Sequence, residues 1–485
     1  VNPLCTRSAT ALAALIRARE ATSREIVEAH IARAEAVNPT LNAIVRERFA
    51  AARAEADAAD RAVAAGDPAA ARPFHGVPCT IKECFAFVGM PNTSGLVSRR
   101  DVVVTEDATA VARLRAAGAI PLGVTNVSEL CMWMESVNHV YGRTSNPYDP
   151  TRIVGGSSGG EGAIVGAGAS PFGLGSDIGG SIRMPAFFNG VFGHKPTGGL
   201  VPGSGQYPLA ENDALRYLTT GPIARRAEDL MPLLRILAGP DGRDAGCRAM
   251  PLGEPAAVDV GALRVLDVED NGALAVAPDL RAAQRRAADA LAARGARVER
   301  VRFAGLRASR DVWAAMMSAA ADTPFSELLG NGRPVRGGRE LLRWLGGRSP
   351  HTLPAVMLVL IEGLTARMPR RVERLVAAGR ALKAEVAARL GSDGVMLYPS
   401  YPTVAPPHRR PLFPPFNWVY TAILNVLELP ATQVPLGLDA RGLPLGVQVA
   451  SVPGNDHVTI AVALELERAF GGWVPPPAPG RRSVR

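Results

Sequence analysis

The apolar positions of the chain follow the helical period over residues 1–65, interrupted by capping residues. Ser8 can accept from the first free N–H groups of a helix running to Arg19, and Ser23 from those of one running to Val37, ahead of Asn38-Pro39. The alanine-rich run 49–65 has high intrinsic helix propensity. From residue 76 the texture changes. Residues 76–81 form a short apolar run ending at Lys82, 108–117 read as a helix stopped by Gly118, and 120–125 as a buried strand. Residues 155–181 are dominated by Gly and Ser, with one short helix near 161–165. Past Thr219 the alternation resumes: helix 279–294 with a Gly295 stop, a strand near 298–301, a long amphipathic helix 370–390, and a strand at 395–398. Strands 431–438 and 445–450 flank a Gly/Pro turn, and helix 457–470 closes the chain. Such alternation predicts a layered α/β sheet. No internal repeat and no long linker divides it, so residues 1–485 are read as one mixed α/β domain.

Composition narrows the function classes. Apolar residues make up 47% and charged residues 20%, enough for a sizeable core and against global disorder. The net charge of +9 comes from 51 arginines and three lysines that are scattered, without a basic run interleaved with aromatics, which argues against nucleic-acid binding. Five cysteines, odd in number and without CxxC spacing, point to a reducing cytoplasm and away from a disulfide framework or a zinc site. The N-terminal residues carry Arg7, Arg17 and Arg19 and no apolar signal-peptide segment, and the longest apolar run, 354–361, is too short to span a bilayer. The protein is expected to be soluble, or at most peripheral to a membrane; a homodimer is compatible with these readings.

The chemistry concentrates in two stretches, GGSSGGEG at 155–162 and GLGSDIGGSIR at 173–183. A phosphate-cradling loop would need G-x-x-x-x-G-K-[ST], or G-x-G-x-x-G after a strand, and neither is present. A nucleophile elbow centred on Ser158 satisfies G-x-S-x-G, but His194, His351, His408 and His457 all lack a convincing context. A purely structural reading, glycines for turns and serines for caps, suits either stretch taken alone. It weakens when both are set beside Lys82. Amide hydrolysis needs a nucleophile relieved of its proton, a leaving amine that gains one, and donors aimed at an oxyanion. The segment Asp177-Ile178-Gly179-Gly180-Ser181 offers successive backbone N–H groups ending on a hydroxyl. Lysine can serve as base when burial lowers its pKa to roughly 7–8, and arginine cannot. Of Lys82, Lys195 and Lys383, only Lys82 ends an apolar strand; a snorkelling side chain or an ion pair remains its alternative role.

GVPCTIK at 76–82, VGGSSGGEG at 154–162 and GSDIGGSIRMPA at 175–186, with the spacing from Lys82 to Ser157 to Ser181, resemble the amidase-signature family, and within it the fatty-acid amide hydrolases. SELCMW at 128–133, RMPAFFNGVFGHKPT at 183–197, LYPSYPTVAPPH at 397–408 and GLPLGVQV at 442–449 extend the likeness over about residues 73–473. The resemblance implies a large mixed twisted β-sheet core flanked by helices on both faces. In it the helical segment 1–65 precedes a catalytic core of about 73–220, and about 221–475 completes the sheet and substrate pocket. It further implies Ser181 as nucleophile, Ser157 after a cis peptide bond as proton relay, and Lys82, neutral in the free enzyme, as ultimate base. The backbone N–H groups of Ile178, Gly179, Gly180 and Ser181 would form the oxyanion hole, and Ser158, Asp177 and Arg183 would support the loops. Cys131, Met132 and Trp133 would sit beside the acyl group, with Trp313 and Met316 adding to the wall. Neither a metal nor an organic cofactor is implied, and the partner is a small-molecule amide. The expected activity is hydrolysis of apolar acyl or aryl amides, with esters and carbamates as side substrates. A glutaminase-type subunit of an amidotransferase and a silent binding protein on the same fold stay open beside it. The apolar stretch 344–364 reads either as a hydrophobic cap near the substrate entrance or as a core helix.

Overall fold

The computed structural model describes residues 2–365 and 369–477; of residues 363–365 only the backbone is described. Its strands are β1 (Ile44–Glu47), β2 (Pro78–Lys82), β3 (Ile120–Thr125), β4 (Val137–Asn138), β5 (Gly142–Arg143), β6 (Phe172–Asp177), β7 (Phe192–Lys195), β8 (Thr219–Ala224), β9 (Arg264–Asp267), β10 (Arg297–Arg300), β11 (Gly394–Tyr398), β12 (Ala431–Leu438) and β13 (Pro444–Ala450). β4 and β5 form a small ribbon, and the other 11 join one sheet in the order β1-β3-β2-β6-β8-β7-β12-β13-β11-β9-β10. Every residue of β2, β3, β6, β7, β8, β11 and β13 is buried, so both faces of the sheet are covered. This is the mixed sheet flanked by helices that the sequence predicts.

The parallel pairs set the position of the chemistry. β2 runs parallel to β3 on one side and to β6 on the other. Parallel neighbours require crossovers, here the helices Thr109–Ala116 between β2 and β3 and Gly159–Gly166 between β3 and β6. Consequently the C-terminal ends of β2 and β6, Lys82 and Asp177, emerge at the same edge of the sheet. The helix Gly159–Gly166 is buried on all sides and lies close to the end of β3. A Cβ on Gly160 would collide with Asn126 N and stand 2.8 Å from Ala43 O, both backbone atoms that cannot give way.

Three local expectations are revised. Thr22, not Ser23, caps the second helix: Thr22 Oγ1 accepts from the Glu25 N–H at 3.1 Å, while the Glu25 carboxylate accepts from the Thr22 N–H at 2.8 Å. Two reciprocal bonds outweigh the one a serine cap would make. That helix runs through Pro39 to Leu41 and ends on Asn42 in the left-handed region. Residues 155–181 contain β6, which glycines at 173 and 175 conceal from propensity, because packing space rather than side-chain preference decides there. The stretch 344–364 is broken at residues 346–352 between the helices Gly337–Leu345 and Leu353–Thr365. Leu345, Met357 and Ile361 are exposed and Val356 and Val359 are buried, so the segment is not a core helix throughout; Leu358, Val359 and Ile361 line the cavity described below, in line with the cap reading. Among the described residues no helix is long and apolar enough to cross a membrane.

Gly160→Ala should lower stability by about 1–3 kcal/mol through overpacking against backbone. Gly338→Ala, in the helix Gly337–Leu345 with open space at its Cβ, should be neutral or stabilising by up to ~1 kcal/mol. Urea-unfolding midpoints of the two variants check this; equal midpoints would contradict it.

Candidate active site

Lys82, the last residue of β2, is 0% exposed. Its Nζ lies 2.7 Å from Ser157 Oγ and 2.9 Å from Ser176 Oγ, with the Ser176 carbonyl at 3.4 Å. No carboxylate oxygen lies within ion-pair distance of it among the described residues, so the snorkelling and ion-pair alternatives both fall away. Lys195 is also buried, but its Nζ donates to the Pro196 carbonyl at 2.8 Å and meets no serine. Burial first, and then the nearby Arg183 charge, push the Lys195 amine down to about 7. Lys383 pairs with Glu428 at 2.7 Å on the surface.

The Gly156–Ser157 peptide bond is cis, as the resemblance implies. Ser158 joins the two glycine-rich loops: its N–H donates to the Ser181 carbonyl at 3.2 Å and its hydroxyl to the Ser176 carbonyl at 3.3 Å. A fully buried hydroxyl used in this way is no elbow nucleophile. Three of the four histidines that an elbow could use are engaged elsewhere. His194 lies between Thr432 and Asp456, His351 on Glu129, and His408 between Glu135 and the Pro150 carbonyl. Ser181 keeps 6% of its surface, more than Ser157 or Ser158.

The loop from Asp177 to Ser181 is held by its carbonyls. Asp177 O accepts from Asn425 Nδ2 at 2.8 Å and Thr219 Oγ1 at 3.2 Å, Ile178 O from Trp313 Nε1 at 3.0 Å, and Gly179 O from Thr421 Oγ1 at 2.9 Å. In a trans peptide the N–H points opposite to the C=O. Pinning Asp177 O and Ile178 O therefore turns the N–H groups of Ile178 and Gly179 the other way. Gly180 N–H donates to Asp177 Oδ1 at 2.7 Å, while the N–H groups of Ile178, Gly179 and Ser181 meet no acceptor among the described residues. Gly180 has φ +114°, and a Cβ there would overlap Thr421, so only glycine fits.

Asp177 is the anchor. Its carboxylate also accepts from the Ile182 N–H at 3.0 Å and from Arg183 at 2.9 and 3.1 Å. Burial alone would raise this carboxyl, but the Arg183 charge and hydrogen bonds hold it well below the usual carboxylate range. Arg183 in turn reaches Gln448 at 2.8 Å and Asn425 at 2.6 Å, so that the buried pair is satisfied on every side. Ser176, Thr421, Asn425 and Gln448 are the functional candidates that sequence reasoning missed. Ser176 and Gln448 stand inside recognisable motifs, whereas Thr421 and Asn425 carry no local signal.

A cavity of about 690 Å³ lies beside this loop, with Ser176, Ile178 and Cys131 in its wall. Cys131, Met132 and Trp313 line it; Trp133 does not. The methionine of that wall is Met317, because Met316 turns inward against Gly379 of the helix Pro369–Leu390. Leu209, Phe325, Leu358 and Val359 make the remainder largely apolar. The wall carboxylates are occupied: Glu211 accepts from Thr323 Oγ1 at 2.7 Å and Glu362 from the Ser326 N–H at 3.0 Å. No cluster of His, Cys, Asp and Glu able to hold a metal occurs among the described residues.

Glu161 lies buried beneath the site, hydrogen-bonded to Thr80 at 2.5 Å and Thr125 at 2.8 Å. Burial pushes its carboxyl up to about 8, against the opposing pull of the two threonines and the Lys82 charge.

The chain matches the Amidase family over residues 25–460. It is 48% identical to fatty-acid amide hydrolase 2-A of Danio rerio, over 100% of this chain and 92% of that protein. Its identity to the acylamidase of Rhodococcus erythropolis is 31%, over 95% of this chain and 94% of that protein. Among solved structures, 6-aminohexanoate cyclic dimer hydrolase superposes with a TM-score of 0.80 at 28% identity, over 96% of this chain and 97% of the other.

The Glu161 shift has a sign that can be measured. The folded protein retains this proton up to about pH 8, whereas the unfolded chain releases it near the ordinary value of 4.5. Its contribution is thus full at low pH and is lost as pH rises through about 8. Glu161→Gln cannot ionise, so raising pH from about 5 to about 9 should lower its urea midpoint less than that of the unaltered protein. Equal pH dependence of the two midpoints would contradict this.

Proposed function

Because the chain belongs to the amidase-signature family and is a hydrolase of amide C–N bonds, we propose that it cleaves apolar acyl or aryl amides through an acyl-enzyme on Ser181, with Ser157 and Lys82 as proton relay. The observation that carries this reading is the 2.7 Å approach of Lys82 Nζ to Ser157 Oγ, both side chains being buried.

In this mechanism Ser181 Oγ attacks the carbonyl carbon as its proton passes to Ser157 Oγ, and the proton of Ser157 passes to the amine of Lys82. The oxyanion is received by the free N–H groups of Ile178, Gly179 and Ser181. Gly180 keeps its N–H on Asp177 and so fixes the loop. Each well-aimed donor of this kind is worth roughly 2.7–4 kcal/mol in the transition state. The relay then runs backwards and delivers the proton to the leaving nitrogen, without which an amine is a poor leaving group. Water attacks the acyl-enzyme by the same path. Esters and carbamates that present the same acyl group would enter the same intermediate as side substrates. The free cysteines fit a reducing compartment such as the cytoplasm.

A fluorophosphonate probe should label the peptide containing Ser181, and Ser181→Ala should remove the label. Labelling at Ser158 would overturn the assignment. For primary amides of unbranched acids, kcat/KM should rise about fourfold per methylene, the equivalent of ~0.8 kcal/mol, until the cavity is filled. A preference for glutamine, with ammonia release, would instead favour the amidotransferase-type glutaminase.

A further inference from the structure

Two thiols that the proposed mechanism does not use lie against its proton relay. Cys84 is two residues beyond Lys82, and its Sγ is 3.7 Å from Ser176 Oγ, the hydroxyl that accepts from Lys82 Nζ at 2.9 Å. Cys131 ends the 3-10 turn Glu129–Cys131. Both thiols line the 690 Å³ cavity, together with Ser176 and Ile178. Cys84 is buried, whereas Cys131 is partly exposed.

The backbone puts Cys131 there at a cost. Leu130 and Cys131 have φ of +52° and +57°, two consecutive left-handed residues, neither of them glycine. Such residues are strained and persist where the surroundings hold them. Here Leu130 N–H donates to Ser94 O at 2.7 Å, Cys131 N–H to Ser128 O at 2.9 Å, and the Glu129 carboxylate is held by His351 and the Thr352 N–H. The neighbouring Cys84 thiol holds the Cys131 thiol below its ordinary range, while burial pushes Cys84 well above it. Cys131, partly exposed on the cavity wall, is the thiol that an entering reagent can reach, whereas Cys84 lies buried behind it.

We propose that Cys131 is a covalent modification site for apolar α,β-unsaturated carbonyl compounds, which enter the cavity chain-first and add to its sulfur. A bond forms between Cys131 Sγ and the β-carbon as the C=C π bond breaks. Its electron pair becomes the enolate, and the α-carbon takes up the proton that the thiol gave up. No oxidant or reductant takes part. The adduct fills the space beside Ser176 and Ile178, so amide hydrolysis stops. Only this last consequence rests on the reading of the cavity as the acyl site.

The test is peptide mapping by mass spectrometry of the full chain treated with 1-octen-3-one or with methyl vinyl ketone. Residual amidase activity is measured on the same samples. The octenone should add one equivalent at Cys131, faster than the short enone by about tenfold or more because of its buried chain. Amidase activity should fall in step with the adduct. Cys131→Ser and Cys131→Ala, each scored against its own untreated activity, should resist. Adduct chiefly on Cys5, Cys79, Cys84 or Cys247, or equal rates for the two enones, would overturn the proposal. If Cys131 resists the octenone while a fluorophosphonate still labels Ser181, this inference fails and the amidase mechanism stands. If Cys131 is alkylated and full activity persists, the modification site stands and the cavity is not the acyl site.

Discussion

A lysine amine removed from water must find acceptors inside the protein, and the placing of Lys82 among hydroxyls and a carbonyl is the constraint from which the site is built. An unsatisfied buried ammonium would cost several kcal/mol. The structure answers by bringing Ser157 from one glycine-rich loop and Ser176 from β6 to the end of β2. That convergence requires β2 and β6 to be parallel neighbours, and it requires a crossover helix thin enough to pass beneath them. The Gly159–Gly166 helix meets that requirement by presenting glycine where Asn126 and Ala43 press in. The sheet order, the run of small residues and the burial of Glu161 follow from the same demand.

A second layer of order comes from far along the chain. The loop that ends on Ser181 has little side-chain bulk of its own, so its shape is imposed by partners on its carbonyls. Trp313, Thr421 and Asn425 hold three successive carbonyls, and the Asp177–Arg183 pair ties the loop to Gln448 on β13. Preorganised donors act in a transition state because no reorganisation is left to be done when charge appears. In the proposed mechanism the C-terminal half of the chain therefore shapes the chemistry without supplying a reacting atom.

Much of this was legible in the sequence because the proposed reacting groups sit in short motifs. The likeness of those motifs to the amidase-signature family singled out Lys82, Ser157 and Ser181, while helix Phe49–Ala65 follows from alanine propensity and strand Ile120–Thr125 from its short buried apolar run. What stayed hidden depends on tertiary space. β6 is invisible to propensity because its glycines are chosen by what lies against them. Thr421 and Asn425 are ordinary helix residues until the loop is docked on them. Met316 and Met317 differ by one position, and only the packing of their helix against Gly379 decides which one faces the cavity.

The central claim is that Lys82 works as a base through Ser157, and Lys82→Arg tests it most directly. Arginine keeps a positive charge and can donate to both serines, but its guanidinium stays protonated at any working pH and cannot accept the proton. The measurement is the amide kcat of purified Lys82→Arg, with its fold verified by circular dichroism and its unfolding midpoint. The account predicts a loss of at least about a thousandfold on amides, with a smaller loss on the matching ester, whose leaving alcohol needs less proton donation. Amide turnover within about tenfold of the unaltered enzyme, some 1.4 kcal/mol of barrier, would mean that Lys82 is a fixed cation and that the proton travels by another route.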